Sequence, residues 1–171
     1  RDTAGAHAFW RQLDALVPTS DAAARRQSAW LGAELALAAG QPQQALDLVE
    51  RHPAPQLRPA VLLHAQAQLA LQRPALASER LQTWVTTHPQ DAQAWQWLAQ
   101  AWQAQNQPLR ALRAQAEAQV AIRDFSAAQD RLKAAQDLAR RGGNQDHIEA
   151  SIIDTRLRAV TELLREEARK Q

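Results

Sequence analysis

Apolar residues recur along most of the chain at the three- and four-residue spacings of amphipathic helices, and prolines or glycines interrupt them at short intervals. This pattern predicts an all-α fold of about nine helices. The predicted helices cover residues 5–17, 22–39, 42–52, 57–71, 74–87, 91–105, 109–122, 125–141 and 145–171. Short turns between successive helices favour antiparallel hairpins stacked side by side.

Local signals support these boundaries. Asp21 and Asp91 stand at positions where a side-chain oxygen can cap the helix that follows. Gly142-Gly143 is expected to close the helix that precedes it. The first helix is expected to place Phe9, Leu13 and Leu16 on one face. The last helix is expected to bury one apolar stripe, which comprises Ile148, Ile152, Ile153, Leu157, Val160 and Leu164.

The composition agrees with this prediction. Alanine, leucine, glutamine and arginine are abundant and favour helices, whereas aromatic residues, which favour strands, make up only 5% of the chain. Alanine also lets helix axes approach closely, as stacked hairpins require.

The segment between Trp95 and Trp102 has the spacing W-x2-L-A-x2-W, and His88-Pro89 precedes it. An earlier pattern, Ala77-x3-Leu81-x2-Trp84, leads into the same proline, and the interval from Ala77 to Ala111 equals one repeat period of the tetratricopeptide (TPR) family. Both the spacing and the period therefore resemble those of TPR repeats. The resemblance implies a TPR-type superhelical array that presents a binding surface.

The repeat is regular only in the middle of the chain. Pro53 shortens the helix that begins at Pro42. After Ala111 the next match to a second repeat helix begins at Asp124, and its Ala128 follows Ala111 by only half a period. We therefore predict that the helix 109–122 closes one hairpin and opens the next, which an array of nearest-neighbour contacts tolerates.

We predict one TPR-like domain over residues 1–171. Residues 1–56 would form divergent N-terminal helices, residues 57–141 the recognisable repeats, and residues 145–171 a C-terminal capping helix. The chain begins at Arg1 and contains no methionine, so we expect it to be a mature form or an excised domain.

Catalytic and metal-binding motifs are missing from the sequence. The five histidines do not form an HExxH motif, no cysteine is present, and no glycine-rich phosphate loop occurs. We therefore expect no catalytic site, no metal and no cofactor. The formal net charge is only +2, which argues against a nucleic-acid partner, and no segment is apolar and long enough to predict a membrane span.

A candidate binding surface lies on the Trp-rich helix. Trp95, Leu98, Ala99 and Trp102 mark its buried side, and the opposite stripe consists of glutamines at spacings of three, four and three. Their amides can bond the backbone of an extended peptide. The predicted partner-binding residues are these glutamines and three charged residues of the next helix: Gln93, Gln96, Gln100, Gln103, Arg110, Arg113 and Glu117.

The alternative interpretation is that these positions are the solvated faces of a glutamine-rich protein. Replacing Gln96, Gln100 and Arg113 by alanine is expected to weaken partner capture and to leave thermal stability nearly unchanged. Trp97 is expected to pack against a neighbouring hairpin. A clamp for a C-terminal carboxylate is not expected, because the only lysines, Lys133 and Lys170, lie outside the predicted groove.

Three segments of the C-terminal half, 108–117, 124–143 and 147–156, resemble the C-terminal TPR region of BepA-type bacterial periplasmic zinc metalloproteases, and the resemblance extends over about 91–164. It implies an upstream HExxH protease domain, a periplasmic location and a role in outer-membrane protein quality control. The implied partners are proteins or extended peptides, the protease domain itself, and components of outer-membrane assembly.

Two other functions fit the sequence. The chain can be a stand-alone TPR scaffold or co-chaperone with no linked enzyme. An RNA-binding helical repeat would require a continuous basic stripe, and the mixed Arg and Glu pattern argues against one.

Overall fold

The computed structural model describes residues 2–141 and 146–170, apart from the side chain of Ala4. Over these residues it contains nine α-helices and no strand, so the all-α prediction is confirmed. The helices are α1 (Thr3–Leu16), α2 (Ala22–Ala38), α3 (Pro42–Arg51), α4 (Arg58–Ala70), α5 (Pro74–Thr87), α6 (Ala92–Ala104), α7 (Pro108–Ala121), α8 (Phe125–Arg141) and α9 (His147–Ala168). The predicted Gly142-Gly143 cap and the predicted helix start at Gln145 lie outside the described residues.

Aspartates cap several of the helices. In each case a carboxylate oxygen accepts a backbone N–H three residues later, at 2.8–3.2 Å, which satisfies a donor that the first turn of a helix leaves unpaired. The capping residues are Asp2, Asp21, Asp91, Asp124 and Asp146. The predicted caps at Asp21 and Asp91 are therefore confirmed.

The same left-handed turn follows α2, α4, α6 and α7. Its residues with positive φ are Gly40, Gln72, Asn106 and Arg123. The residue after each of them donates its N–H to the carbonyl five residues earlier, at 2.8–2.9 Å, which is the longer bond of a Schellman motif.

The intervals between these turns reveal the repeat. Asn106 follows Gln72 by one full TPR period, and Gln72 follows Gly40 by slightly less, but Arg123 follows Asn106 by only half a period. Helix α7 packs against both α6 and α8. It therefore closes one hairpin and opens the next, as the half-period spacing of the sequence predicts.

The chain divides into two compact units, Arg1–Arg80 and Leu81–Gln171. In the first unit, α2 packs against α1, α3 and α4. Trp10 of α1 is buried and donates its indole N–H to the Ser28 carbonyl at 2.8 Å. Its ring lies so close to Gly32 that a Cβ there would stand 2.2 Å from Trp10 Cζ2, so only glycine allows this approach.

The shared face of Phe9, Leu13 and Leu16 is present, but it points to solvent. The three side chains are 75%, 47% and 83% exposed. The core of the first unit instead forms from Trp10 and from small and aliphatic side chains of α2, α3 and α4.

In the second unit, α7 packs against α6, α8 and α9, and α8 packs against α9. Ile153 and Val160 of α9 are fully buried, and Leu157 and Leu164 pack against the same core. The prediction that Ile148 and Ile152 belong to this buried stripe is wrong, since they are 78% and 41% exposed. Adjacent helical residues point about 100° apart, so Ile152 and Ile153 cannot both face α8.

Candidate protein-binding surface

Two indole groups fix the orientation of α6. One carboxylate oxygen of Asp91 accepts the Ala94 N–H at 3.2 Å, and the other accepts the Trp84 indole N–H at 3.0 Å. The Trp95 indole donates to the Pro89 carbonyl, also at 3.0 Å. The segment before α6 is therefore tied both to α5 and to the first turn of α6.

The tryptophan side of α6 is largely buried, as predicted. Leu98, Ala99 and Trp102 are between 2% and 8% exposed. Trp95 is only partly buried, because its ring lies over the turn before the helix, where its indole is bonded. Trp97 is partly buried as well.

The opposite side of α6 is a row of exposed amides, which we call the glutamine face: Gln93, Gln96, Gln100 and Gln103. The helix Ala92–Ala104 contains no ionisable residue. The glutamine face is therefore a neutral surface whose amides both donate and accept hydrogen bonds. The sequence predicted its position and exposure, and whether it binds a partner stays a prediction.

The three charged residues predicted for the same site contact the last helix, and whether they bind a partner stays a prediction. Arg113 forms a short ion pair with Glu149, a carboxylate that is only 4% exposed. Arg156 donates two hydrogen bonds to Glu117, at 2.6 and 2.7 Å. The Arg110 guanidinium lies 3.9 Å from Glu149. We call these contacts the α7–α9 ion pairs.

Arg110 has a second contact, because its guanidinium carbon lies 5.1 Å from the centre of the Trp102 ring. This cation–π contact joins the start of α7 to the buried side of α6. The charged residues therefore hold helices together, whereas the glutamine face points away from Leu98 and Trp102.

Sequence reasoning missed Glu149 and Arg156. The charge pattern carried a signal. Glu149 and Arg156 stand seven residues apart on one helix, and Arg113 and Glu117, which carry the opposite charges in the same order, stand four apart on another. The signal could not be used before the neighbours of α9 were known, because the paired residues are 36 and 39 positions apart in the chain.

Two polar side chains, a buried Gln68 and a partly buried His64, lie side by side on α4 in the first unit. His64 and Gln68 precede the left-handed residue Gln72 by the same intervals at which Leu98 and Trp102 precede Asn106. The pair in α4 therefore occupies the repeat positions of Leu98 and Trp102 in α6. The Gln68 amide nitrogen lies 3.4 Å from His64 Nε2. His64 Nδ1 and Gln68 Oε1 are buried and have no hydrogen-bond partner among the described residues.

Burial lowers the pKa of His64 from 6.5 to about 4, and the positive charge of Arg80 contributes to that shift. The imidazole is therefore neutral at neutral pH. Its Nε2 lies 3.9 Å from a carboxylate oxygen of Glu50. Because the ring is uncharged, this contact is not an ion pair under those conditions.

Among the described residues, no group of three or more His, Cys, Asp or Glu side chains is placed to hold a metal ion. Within the same residues, none of the helices is both long and apolar enough to cross a bilayer.

Comparison with known proteins supports the fold. No protein-family model matches the sequence, and no curated protein sequence matches it. Among solved structures, the MamA RS-1 ArsTM double mutant superimposes with a TM-score of 0.59 at 19% identity, over 96% of this chain and 86% of that one. Together with the recurring left-handed turns, this similarity identifies a TPR-type, all-helical repeat fold.

Proposed function

We propose that this chain is a protein-interaction module and that an extended polypeptide binds along the glutamine face of α6. The observation that carries the proposal is the exposed row of amides opposite the buried Leu98 and Trp102. A solvated helix face usually carries charged residues, whereas α6 carries none.

The chemistry of the row fits a peptide backbone. Each glutamine offers one carbonyl acceptor and two N–H donors, which match the alternating donors and acceptors of an extended chain. The contacts would require no particular side chain of the partner, so we expect recognition of extended segments with broad sequence tolerance. Because the surface is neutral, affinity should depend only weakly on salt.

The test uses linear peptides selected on the whole chain from a phage-displayed library. Fluorescence anisotropy then compares their affinity for the wild type and for the Gln96→Ala, Gln100→Ala double variant. Loss of two hydrogen bonds is expected to weaken binding by about tenfold. The matched control is Gln27→Ala with Gln82→Ala, two exposed glutamines on other helices.

The control variant should bind like the wild type. Equal affinity of the selected peptides for the wild type and for the Gln96, Gln100 variant would show that they bind elsewhere. Failure to select any peptide would contradict the interaction function itself.

The finer assignment that we propose is the C-terminal TPR part of a periplasmic zinc metalloprotease that acts in outer-membrane protein quality control. Its support is the resemblance of residues 108–117, 124–143 and 147–156 to BepA-type proteases. The coding sequence upstream of Arg1 tests it. An HExxH helix encoded there is the expected result, and a bare signal peptide directly before Arg1 would favour the stand-alone scaffold or co-chaperone instead.

A further inference from the structure

The first unit carries an apolar cleft that its own core does not fill. The cleft has a volume of about 530 Å³ and lies between α1 and α2. Its walls include Phe9, Leu13 and Leu16 of α1 together with Leu31 and Leu35 of α2. Phe9 and Leu16 are exposed over three quarters or more of their surface, and Leu13 and Leu31 over somewhat less than half.

The exposure of these four side chains corresponds to roughly 450 Å² of apolar surface. Contiguous patches of this size on soluble monomers often serve an interaction. The patch is not a by-product of a poorly packed helix, because the other side of α1 is anchored by Trp10, which packs on Gly32 and bonds Ser28.

We propose that this patch, which we call the α1 face, binds the α1 face of a second copy of the chain in a two-fold symmetric dimer. In a two-fold symmetric contact, a residue beside the axis meets the same residue of the other copy. A residue away from the axis meets a different residue, and the same contact recurs on the other side of the axis. The stripe formed by Phe9, Leu13 and Leu16 suits an antiparallel pairing in which Phe9 meets Leu16 of the other copy. Leu13 then lies beside the symmetry axis.

Charge favours a second copy as the occupant. A charged side chain beside the symmetry axis would approach its own image and be repelled, whereas the residues that line the cleft include no ionisable side chain. Gln12 at the rim can bond its own image, because an amide both donates and accepts.

The area also suits a dimer. Two copies of the patch bury about 900 Å² from the four side chains alone, and Ala6 and Gln12, which also line the cleft, bring the total near the ~1,000 Å² that a specific interface needs. An interface of this size is at the low end for specific contacts, so we expect a weak, reversible dimer. The proposal is independent of the glutamine face, since it uses no residue of α6.

Sedimentation velocity over a range of concentrations measures the dimer. The wild type should pass from monomer to dimer as concentration rises. Phe9→Glu with Leu16→Glu should weaken dimerisation by at least about tenfold, because four carboxylates would meet at the contact. Both positions are exposed, so the far-ultraviolet circular dichroism should not change. Ile148→Glu, at an exposed isoleucine of α9, is the matched control.

Disulfide trapping gives a second measurement that does not depend on a destabilising charge. The chain contains no cysteine, so Leu13→Cys introduces a single thiol. Near the two-fold axis it should form an intermolecular disulfide readily under mild oxidation, whereas Ile148→Cys should not. A wild-type chain that stays monomeric, a dimer unaffected by the two glutamates, or equal trapping at both cysteines would overturn the proposal. Open chains longer than a dimer would do so as well.

Discussion

At the scale of single residues, the most unusual position is His64, a histidine of α4 whose side chain is only 12% exposed. The equivalent repeat position in α6 is a leucine, Leu98. The equivalent of the nearby Gln68 is a tryptophan, Trp102. Each of the two side chains leaves a buried polar atom without a partner among the described residues. Burying unpaired polar groups costs stability, so this part of the array is expected to be less stable than its apolar counterpart.

The first prediction concerns the pH dependence of this site. The unfolded chain binds a proton at the ordinary histidine pKa of 6.5, whereas the folded chain resists protonation down to about 4. The contribution of neutral His64 to stability is therefore complete above pH 6.5 and is lost as pH falls toward 4. Between about pH 7.5 and about pH 5 the free energy of unfolding should fall by about 2 kcal/mol from this group alone.

Urea denaturation at both pH values measures this fall, and His64→Leu should remove it because leucine does not titrate. The control is Gln66→Leu, at a partly buried glutamine of the same helix, which keeps His64 and should retain the wild-type pH dependence. If His64→Leu shows the same loss between the two pH values as the wild type, His64 is not the titrating group.

The second prediction separates Arg113 from the glutamines. From the sequence, Gln96, Gln100 and Arg113 are expected to be replaceable with nearly unchanged stability. The structure changes this expectation for Arg113, since its removal leaves the Glu149 carboxylate buried without its closest partner. Arg113→Ala should lower the free energy of unfolding by about 3 kcal/mol, whereas Gln96→Ala should change it by less than about 0.5 kcal/mol.

Urea titration of the two single variants provides the comparison. Adding Glu149→Gln to Arg113→Ala should recover part of the loss, because the unpaired charge is then absent. Equal stability of the Arg113 and Gln96 variants would mean that the ion pair between Arg113 and Glu149 contributes nothing.

At the scale of helices, local rules decide most boundaries. Prolines at the starts of α3, α5 and α7 and aspartate caps such as Asp21 and Asp91 place them within a few residues of the sequence-based predictions. The first helix begins earlier than expected, since Asp2 caps it at the Gly5 amide. The buried face of α9 was harder to predict, because its apolar residues populate two stripes and only packing against α8 selects one.

The third prediction tests the half-period hairpin. Arg123 occupies a left-handed conformation (φ 65°), which costs any residue with a Cβ roughly 1 kcal/mol. Arg123→Gly should therefore stabilise the fold by about 1 kcal/mol, and Asn106→Gly by a smaller amount because asparagine tolerates this conformation better.

Ile122→Gly, one residue earlier at φ −97°, should destabilise and is the control. Thermal denaturation ranks the three variants. A loss of stability in Arg123→Gly would indicate that the chain does not turn there as it does at Asn106.

At the scale of the whole molecule, the repeat pattern predicted the array but not all of its surfaces. The glutamine face could be located because one helix determines which residues share a side and which are buried. The intramolecular contacts of Arg110, Arg113 and Glu117 could not be predicted in this way, because their partners lie on α9. The exposed α1 face was also beyond sequence reasoning, since Trp10 and Gly32 decide which side of α1 packs inward.

The central claim is that the glutamine face binds an extended polypeptide, and nuclear magnetic resonance of the side-chain amides tests it most directly. A peptide selected on the whole chain is titrated into ¹⁵N-labelled protein. The side-chain NH₂ signals of Gln96, Gln100 and Gln103 should shift in a saturable manner, while those of Gln27 and Gln82 stay in place. Saturable binding that leaves the three α6 amides unshifted would contradict the claim.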